Sequence, residues 1–214
     1  MKISSVTTAI GALAVWLAAP APARAHRLDE YLQATRLSID SDRVGLEIDL
    51  TAGESLASEV FGWIDTNHDG QISSDEGDAY ARQMLHAVTL SVDGRPAPVI
   101  LLDSRYPEFQ EMQLGVGVIR LHATAGVPAA GAGRHSVSYS NTHRADKSVY
   151  LVNALVPEDS RIQIGEQRRD RAQHGLTLNY DMTVSEAQAR TYWLLTAFAM
   201  IAFLGAARGL SHKR

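Results

Sequence analysis

The sequence predicts a mainly β protein: an antiparallel β-sandwich, interrupted once by a helix–loop–helix and followed by a membrane-spanning helix. Three observations lead there. Short runs of alternating polarity, such as Val44, Leu46, Ile48 and Leu50 against Gly45, Glu47, Asp49 and Thr51, recur along the chain with turn residues between them. Apolar residues at helical spacing flank a single acidic stretch, Asp65 to Glu76. Residues 191–207 carry no charge at all.

In chain order, residues 1–25 read as a signal peptide. Lys2 supplies the positive start, Ile10 to Ala19 an apolar run, and Ala23-Arg24-Ala25 a small-x-small cleavage site. The mature chain then begins at His26, outside the cytoplasm. Tyr31 to Asp40 and Arg43 to Thr51 form a hairpin, and a helix–loop–helix over 54–86 separates it from the next strand, Val88 to Val92. Asp93-Gly94 turns into a strand over Pro98 to Leu102. Arg105 to Gln113 reads as loop, broken by Pro107, and Val118 to Thr124 as strand; Gly126 to Gly133 is a small-residue connector. Arg134 to Ser140 alternates with Val137 and Tyr139 inward. Ser148 to Val156 is apolar on both parities, the pattern of a central strand covered on both sides. Ile162 with Ile164, and then Leu176, Leu178, Tyr180 and Met182, mark the last two strands. Repeated short strands of this kind point to an Ig-like sandwich filling 26–183. A juxtamembrane segment (184–190) leads to the transmembrane helix (191–207) and a cytoplasmic tail (208–214). Seventeen helical residues span about 25 Å, and snorkelling by Arg190 and Arg208 extends the reach. Tyr192 and Trp193 suit the outer headgroup belt, while Arg208, Lys213 and Arg214 suit the cytoplasmic side.

The acidic stretch has an oxygen donor at each position a twelve-residue calcium loop requires. Asp65, Asn67 and Asp69 stand at positions 1, 3 and 5, Gln71 offers its carbonyl at 7, Ser73 acts at 9, and Glu76 is the bidentate carboxylate at 12. Gly70 falls at position 6, where the chain bends sharply. Phe61 and Ile64 before the loop, and Tyr80, Ala81, Met84 and Leu85 after it, form apolar helix faces. Hard oxygen donors in a flexible loop select Ca²⁺ over Mg²⁺ or softer ions. His68 is not counted as a ligand. The stretch resembles an EF-hand, here without a paired hand, so Ile72 at position 8 has to pack on the sandwich or on a sheet edge. A lone hand outside the cytoplasm suits a structural ion; as a switch it would expose Phe61, Ile64 and Met84 to a partner.

Other chemistry is sparse. With 45% hydrophobic and 21% charged residues and a net charge of −4, composition gives no reason to propose a nucleic-acid partner. Cysteine is absent, so neither disulfides nor a thiol nucleophile are available, and no Gly-x-Ser-x-Gly elbow occurs. No catalytic residues are assigned. A mature N-terminal His26 could chelate Cu²⁺ or Ni²⁺ through its amine and ring, with a further ligand from His122, His135, His143 or His174. Parity places His122 outward, and His143 falls in a polar loop.

The run Ala25-His26-Arg27-Leu28-Asp29-Glu30-Tyr31-Leu32-Gln33, the calcium loop, and Ser148-Val149-Tyr150-Leu151-Val152-Asn153-Ala154 together resemble a group of bacterial exported proteins. These combine a β domain, an EF-hand-like loop and a C-terminal membrane anchor. More distantly the chain is similar to the extracytoplasmic N-terminal domain of nickel/cobalt permeases, though Arg-Leu-Asp-Glu follows its histidine and one span replaces the permease. The resemblance implies a single-pass protein of a bacterial inner membrane, its main domain facing the periplasm. The short stretch between Met182 and Thr191 holds the domain close to the membrane, which suits a neighbouring membrane protein or permease as partner, and the resemblance implies a link to metal uptake.

Overall fold

Inward-facing alternation builds both halves of the core. The computed structural model describes residues 29–128 and 131–183. β1 (Tyr31–Ile39) and β2 (Arg43–Ala52) pair as the expected hairpin, with Leu37 opposite Leu46 and Ile39 opposite Val44, all buried. A 3-10 turn (Glu54–Leu56), α1 (Ala57–Ile64) and α2 (Ser74–His86) follow, occupying the predicted 54–86. Next come β3 (Val88–Val92), β4 (Arg95–Pro96), β5 (Ile100–Arg105), α3 (Phe109–Gln113), β6 (Val118–Gly126), β7 (Gly133–Asn141), β8 (Ser148–Ala154), β9 (Ile162–Arg169) and β10 (Gly175–Met182).

These strands make two five-stranded sheets, ordered β5-β6-β2-β1-β8 and β4-β3-β7-β10-β9. One hydrophobic cluster runs between them, with Leu37, Ile48, Leu50 and Leu121 from the first and Leu90, Val137, Leu178 and Tyr180 from the second. Ala57, Val60, Phe61 and Ile64 of α1, with Tyr80, Ala81, Met84 and Leu85 of α2, belong to the same cluster. The inserted helices therefore extend the core.

The structure corrects four expectations. The sandwich is not wholly antiparallel, because β1 and β8 run parallel, Leu32 beside Val149 and Leu37 beside Ala154. Alternation fixes which face of a strand is buried and is blind to the direction of its neighbour. β8 is an edge strand and not a central one: Tyr150 and Val152 point inward, while Val149 and Leu151 are each 39% exposed. Asp93-Gly94 leads into the two-residue β4, and the following strand starts at Ile100 and ends at Arg105. Residues 105–113, expected as loop, contain α3, whose Met112 is buried and whose Phe109 ring lies 4.6 Å from that of Phe61.

Strand direction defines two poles. Tyr31, Ala52, Val118, Asn141, Ser148 and Gly175 lie at one, together with the helices; this is the insert pole. Ile39, Ala154, Gly133, Ile162 and Met182 lie at the other, where the described chain leaves the sheet. No helix among the described residues is long and apolar enough to cross a membrane. The predicted signal peptide, His26, the juxtamembrane segment, the span over 191–207 and the tail lie outside the described residues.

The placement of β8 is testable by urea unfolding. Leu37→Ala, at a fully buried position of β1, is expected to cost about 2–5 kcal/mol. Leu151→Ala on the outward face of β8 should cost about 1 kcal/mol or less; equal losses would restore a covered central strand.

Candidate metal centre

α1 delivers the chain to the loop through an apolar face at i, i+3, i+4 and i+7, with Ala57, Val60, Phe61 and Ile64 buried. At its end the Asp65 N–H donates to the Phe61 carbonyl at 2.9 Å, and the chain leaves the helix. Two left-handed residues, His68 (φ 60°) and Gly70 (φ 82°), then reverse its course. At Gly70 a Cβ would strain the backbone, although open space surrounds it.

The loop is held by its own acidic side chains. Asp65, 4% exposed, accepts the N–H groups of Asp69 at 3.2 Å and Gly70 at 2.9 Å. The Asn67 side-chain oxygen accepts the Asp69 N–H at 2.8 Å, and the Asp69 carboxylate accepts the Gln71 N–H at 2.9 Å. α2 begins with Ser73 as N-cap in a reciprocal capping box with Glu76. One Glu76 oxygen accepts the Thr66 N–H (2.8 Å), the Thr66 hydroxyl (3.0 Å) and the Asn67 N–H (3.0 Å). The other accepts the Ser73 hydroxyl (2.7 Å) and N–H (3.1 Å). Led by the Ser73 hydroxyl and the Asn67 N–H, these donors lower the Glu76 pKa from 4.5 to about 2. Glu76 thus contributes its stabilisation above the ordinary carboxylate range, and that contribution fades as pH falls through about 2.

Asp65, Asn67, Asp69, Gln71, Ser73 and Glu76 thus share one tight loop between two packed helices, and their side-chain and carbonyl oxygens suit a hard cation. In the present arrangement the carboxylates face N–H and O–H donors. Among the described residues no three His, Asp or Glu side chains converge on a common metal position. For the loop to hold Ca²⁺, Glu76 would exchange contacts with Thr66, Asn67 and Ser73 for the ion. Ile72 is half-buried and packs against the core.

Between α2 and the two sheets lies a polar network that sequence reading missed. The hydroxyls of Tyr31 and Tyr80 share a hydrogen bond of 2.8 Å, and Tyr80 meets His143 Nε2 at 3.1 Å. The His143 carbonyl accepts from Gln33 (2.7 Å) and from the Tyr150 hydroxyl (2.7 Å), while Asn141 donates to Gln33 Oε1 (2.8 Å) and accepts the His143 N–H (2.9 Å). Far from being a surface-loop residue, His143 is 5% exposed. Its neighbours Asn-Thr and Arg-Ala-Asp-Lys disguise it, since nothing local in the sequence reports that Tyr80 covers the ring. The available signal was parity: Gln33 and Thr35 fall on the inward side of β1 with Tyr31 and Leu37. Inward polar residues require partners when buried.

Among the described residues the remaining histidines do not gather. His122 pairs with Asp103 at 3.0 Å, His135 with Asp93 at 2.8 Å while stacking on Tyr180, and the His174 ring sits 4.4 Å from that of Tyr150. His68 is exposed. Set against known protein families and against curated proteins, the chain matches none.

Burial, and to a lesser extent the charge of Arg144, lower the His143 pKa from 6.5 to about 4. The unfolded chain therefore takes up a proton first, and stability should fall as pH drops from about 6.5 to about 4, by on the order of 3 kcal/mol. Chemical denaturation across that window, on the wild type and on His143→Gln, checks this. The variant should lose that part of the slope, and an unchanged slope would place the ring in water.

Proposed function

We propose that the protein is a calcium-binding module: an EF-hand inserted in an Ig-like sandwich and held at the outer face of a bacterial inner membrane by its C-terminal span. The observation that carries this reading is the loop Asp65–Glu76. Its oxygen donors are clustered, its two left-handed residues fall at positions 4 and 6, and helices with buried faces anchor both ends. Asp65, Asn67, Asp69, Ser73 and Glu76 would bind through side chains and Gln71 through its carbonyl. The ion would supply charge neutralisation to a cluster that carries three carboxylates.

A structural ion fits better than a sensor. Ile64 and Met84 are fully buried and Phe61 is 8% exposed, and all three belong to the core shared with the sandwich. Opening the hand to display them would take apart that end of the core. The module's work is then to hold a rigid domain against a neighbour, with a membrane protein or permease the fitting partner for a domain tethered so closely.

Calorimetric titration of the chelator-treated chain tests the reading. The expected dissociation constant is on the order of 10⁻⁴–10⁻³ M, typical of extracellular modules. Saturation at 100-fold that concentration should add about 2.7 kcal/mol of stability. Glu76→Gln should weaken binding by at least about tenfold, a loss of about 1.4 kcal/mol. Absence of both heat and stabilisation in the wild type would remove the assignment.

A further inference from the structure

We infer that the pole opposite the calcium loop rests on the lipid surface, with the tip Leu155, Val156 and Pro157 seated among the headgroups. The inference rests on the membrane-anchored reading above and adds the orientation of the domain and the surface that touches the bilayer.

Where the chain leaves the sandwich decides the orientation. β10 ends at Met182 opposite Gly133 and Ile162, and the Thr183 N–H donates to the Arg161 carbonyl at 2.9 Å. Beyond lie seven residues, 184–190, before the uncharged run 191–207. Fully extended, seven residues reach at most about 25 Å. β10 itself, with eight residues, covers about 26 Å from pole to pole. A tether of about the sandwich's own length, rooted at the exit pole, keeps that pole nearest the bilayer. The helices and the calcium loop stand at the far pole, facing away from it.

The exit pole carries what a lipid interface accepts. Val156 is 90% exposed and Leu155 is 37% exposed, directly after β8. With Pro157 they border a cleft of ≈ 350 Å³ whose other wall is Ile162 and Ile164, beside the point of exit. The charges around this tip are paired: Arg161 with Asp159 at 2.6 Å, Arg134 with Asp181 at 3.4 Å, Arg43 with Asp42 at 3.0 Å. Asp40 and Glu158 add negative charge, so a neutral bilayer suits this pole and no basic patch calls for anionic lipid. Three residues at a loop tip fall far short of the roughly 800 Å² each partner buries in a stable protein interface. They suffice for shallow insertion beside a covalent tether.

The chain has no cysteine, so one introduced thiol reports one position. Val156→Cys, and Ala79→Cys on the exposed side of α2 at the far pole as reference, would be labelled with an environment-sensitive fluorophore. The full chain would then be reconstituted into phosphatidylcholine vesicles, and separately into vesicles containing phosphatidylglycerol. The label at 156 should shift to the blue in both and lose roughly half its emission to a nitroxide placed about 5–10 Å deep; the label at 79 should do neither. A chain that floats with vesicles and resists carbonate while both labels stay aqueous overturns this inference and leaves the anchor standing. A chain that fails to float overturns both. Blue shift only in dimers captured by 156–156 cross-linking makes a second copy the occupant. Protection of 156 in native membranes but not in pure lipid makes a protein the occupant. Either result overturns the lipid assignment.

Discussion

The structure depends on a buried junction of three polar rings. Tyr31 at the start of β1, Tyr80 in the middle of α2 and His143 in the loop between β7 and β8 meet through two hydrogen bonds, and their partners close the rest of the network. Each group would be costly to bury alone. Met together, they lock the inserted helices, the first sheet and the second sheet into one arrangement. Among the described residues no buried side-chain nitrogen or oxygen lacks a partner. Glycine completes the seam: at Gly77 of α2 a Cβ would lie 2.5 Å from the Tyr106 ring, whose hydroxyl donates to the Gly77 carbonyl. Lys147 reaches from the same loop to Glu59 of α1, and the Arg144 guanidinium lies 4.0 Å above the Trp63 ring.

This junction makes the acidic loop a local affair. α1 is fixed by Ile64 before the loop begins, and α2 by Tyr80, one helical turn after Glu76. Whatever the loop binds, the adjustment falls on Thr66 to Glu76, where most residues are exposed and the acidic side chains are held by backbone N–H groups and by the Thr66 and Ser73 hydroxyls. The neutral His143 and the ionised Glu76 reflect the same division, one group dried out by packing and the other wrapped by donors.

Much of this was legible in the residues. The hairpin, the inward parity of β2, β6, β7 and β10, and the span of the insert followed from alternation and helical spacing, because each is set by neighbours in sequence. The errors fell where distant partners decide. β8 carries apolar residues on both parities, yet only Tyr150 and Val152 find the core; Val149 and Leu151 line an edge that nothing local distinguishes from a central strand. α3 lay hidden behind Pro107 because five residues are too few to show a helical period, and contacts with Phe61 and the core complete its hold. The loop's donors could be counted from spacing alone, whereas the hold of Thr66, Asn67 and Ser73 on Glu76 is three-dimensional.

The parallel pairing of β1 with β8 has a bearing on how the molecule is made. Tyr31 must wait for Ser148, and Leu37 for Ala154, before the first sheet gains its last strand. Contacts so far apart in sequence close late. A chain emerging N-terminus first would carry β1 with one side bare until nearly the whole domain had appeared, and a bare strand edge invites mispairing. The first sheet is therefore complete only once the eighth strand has arrived.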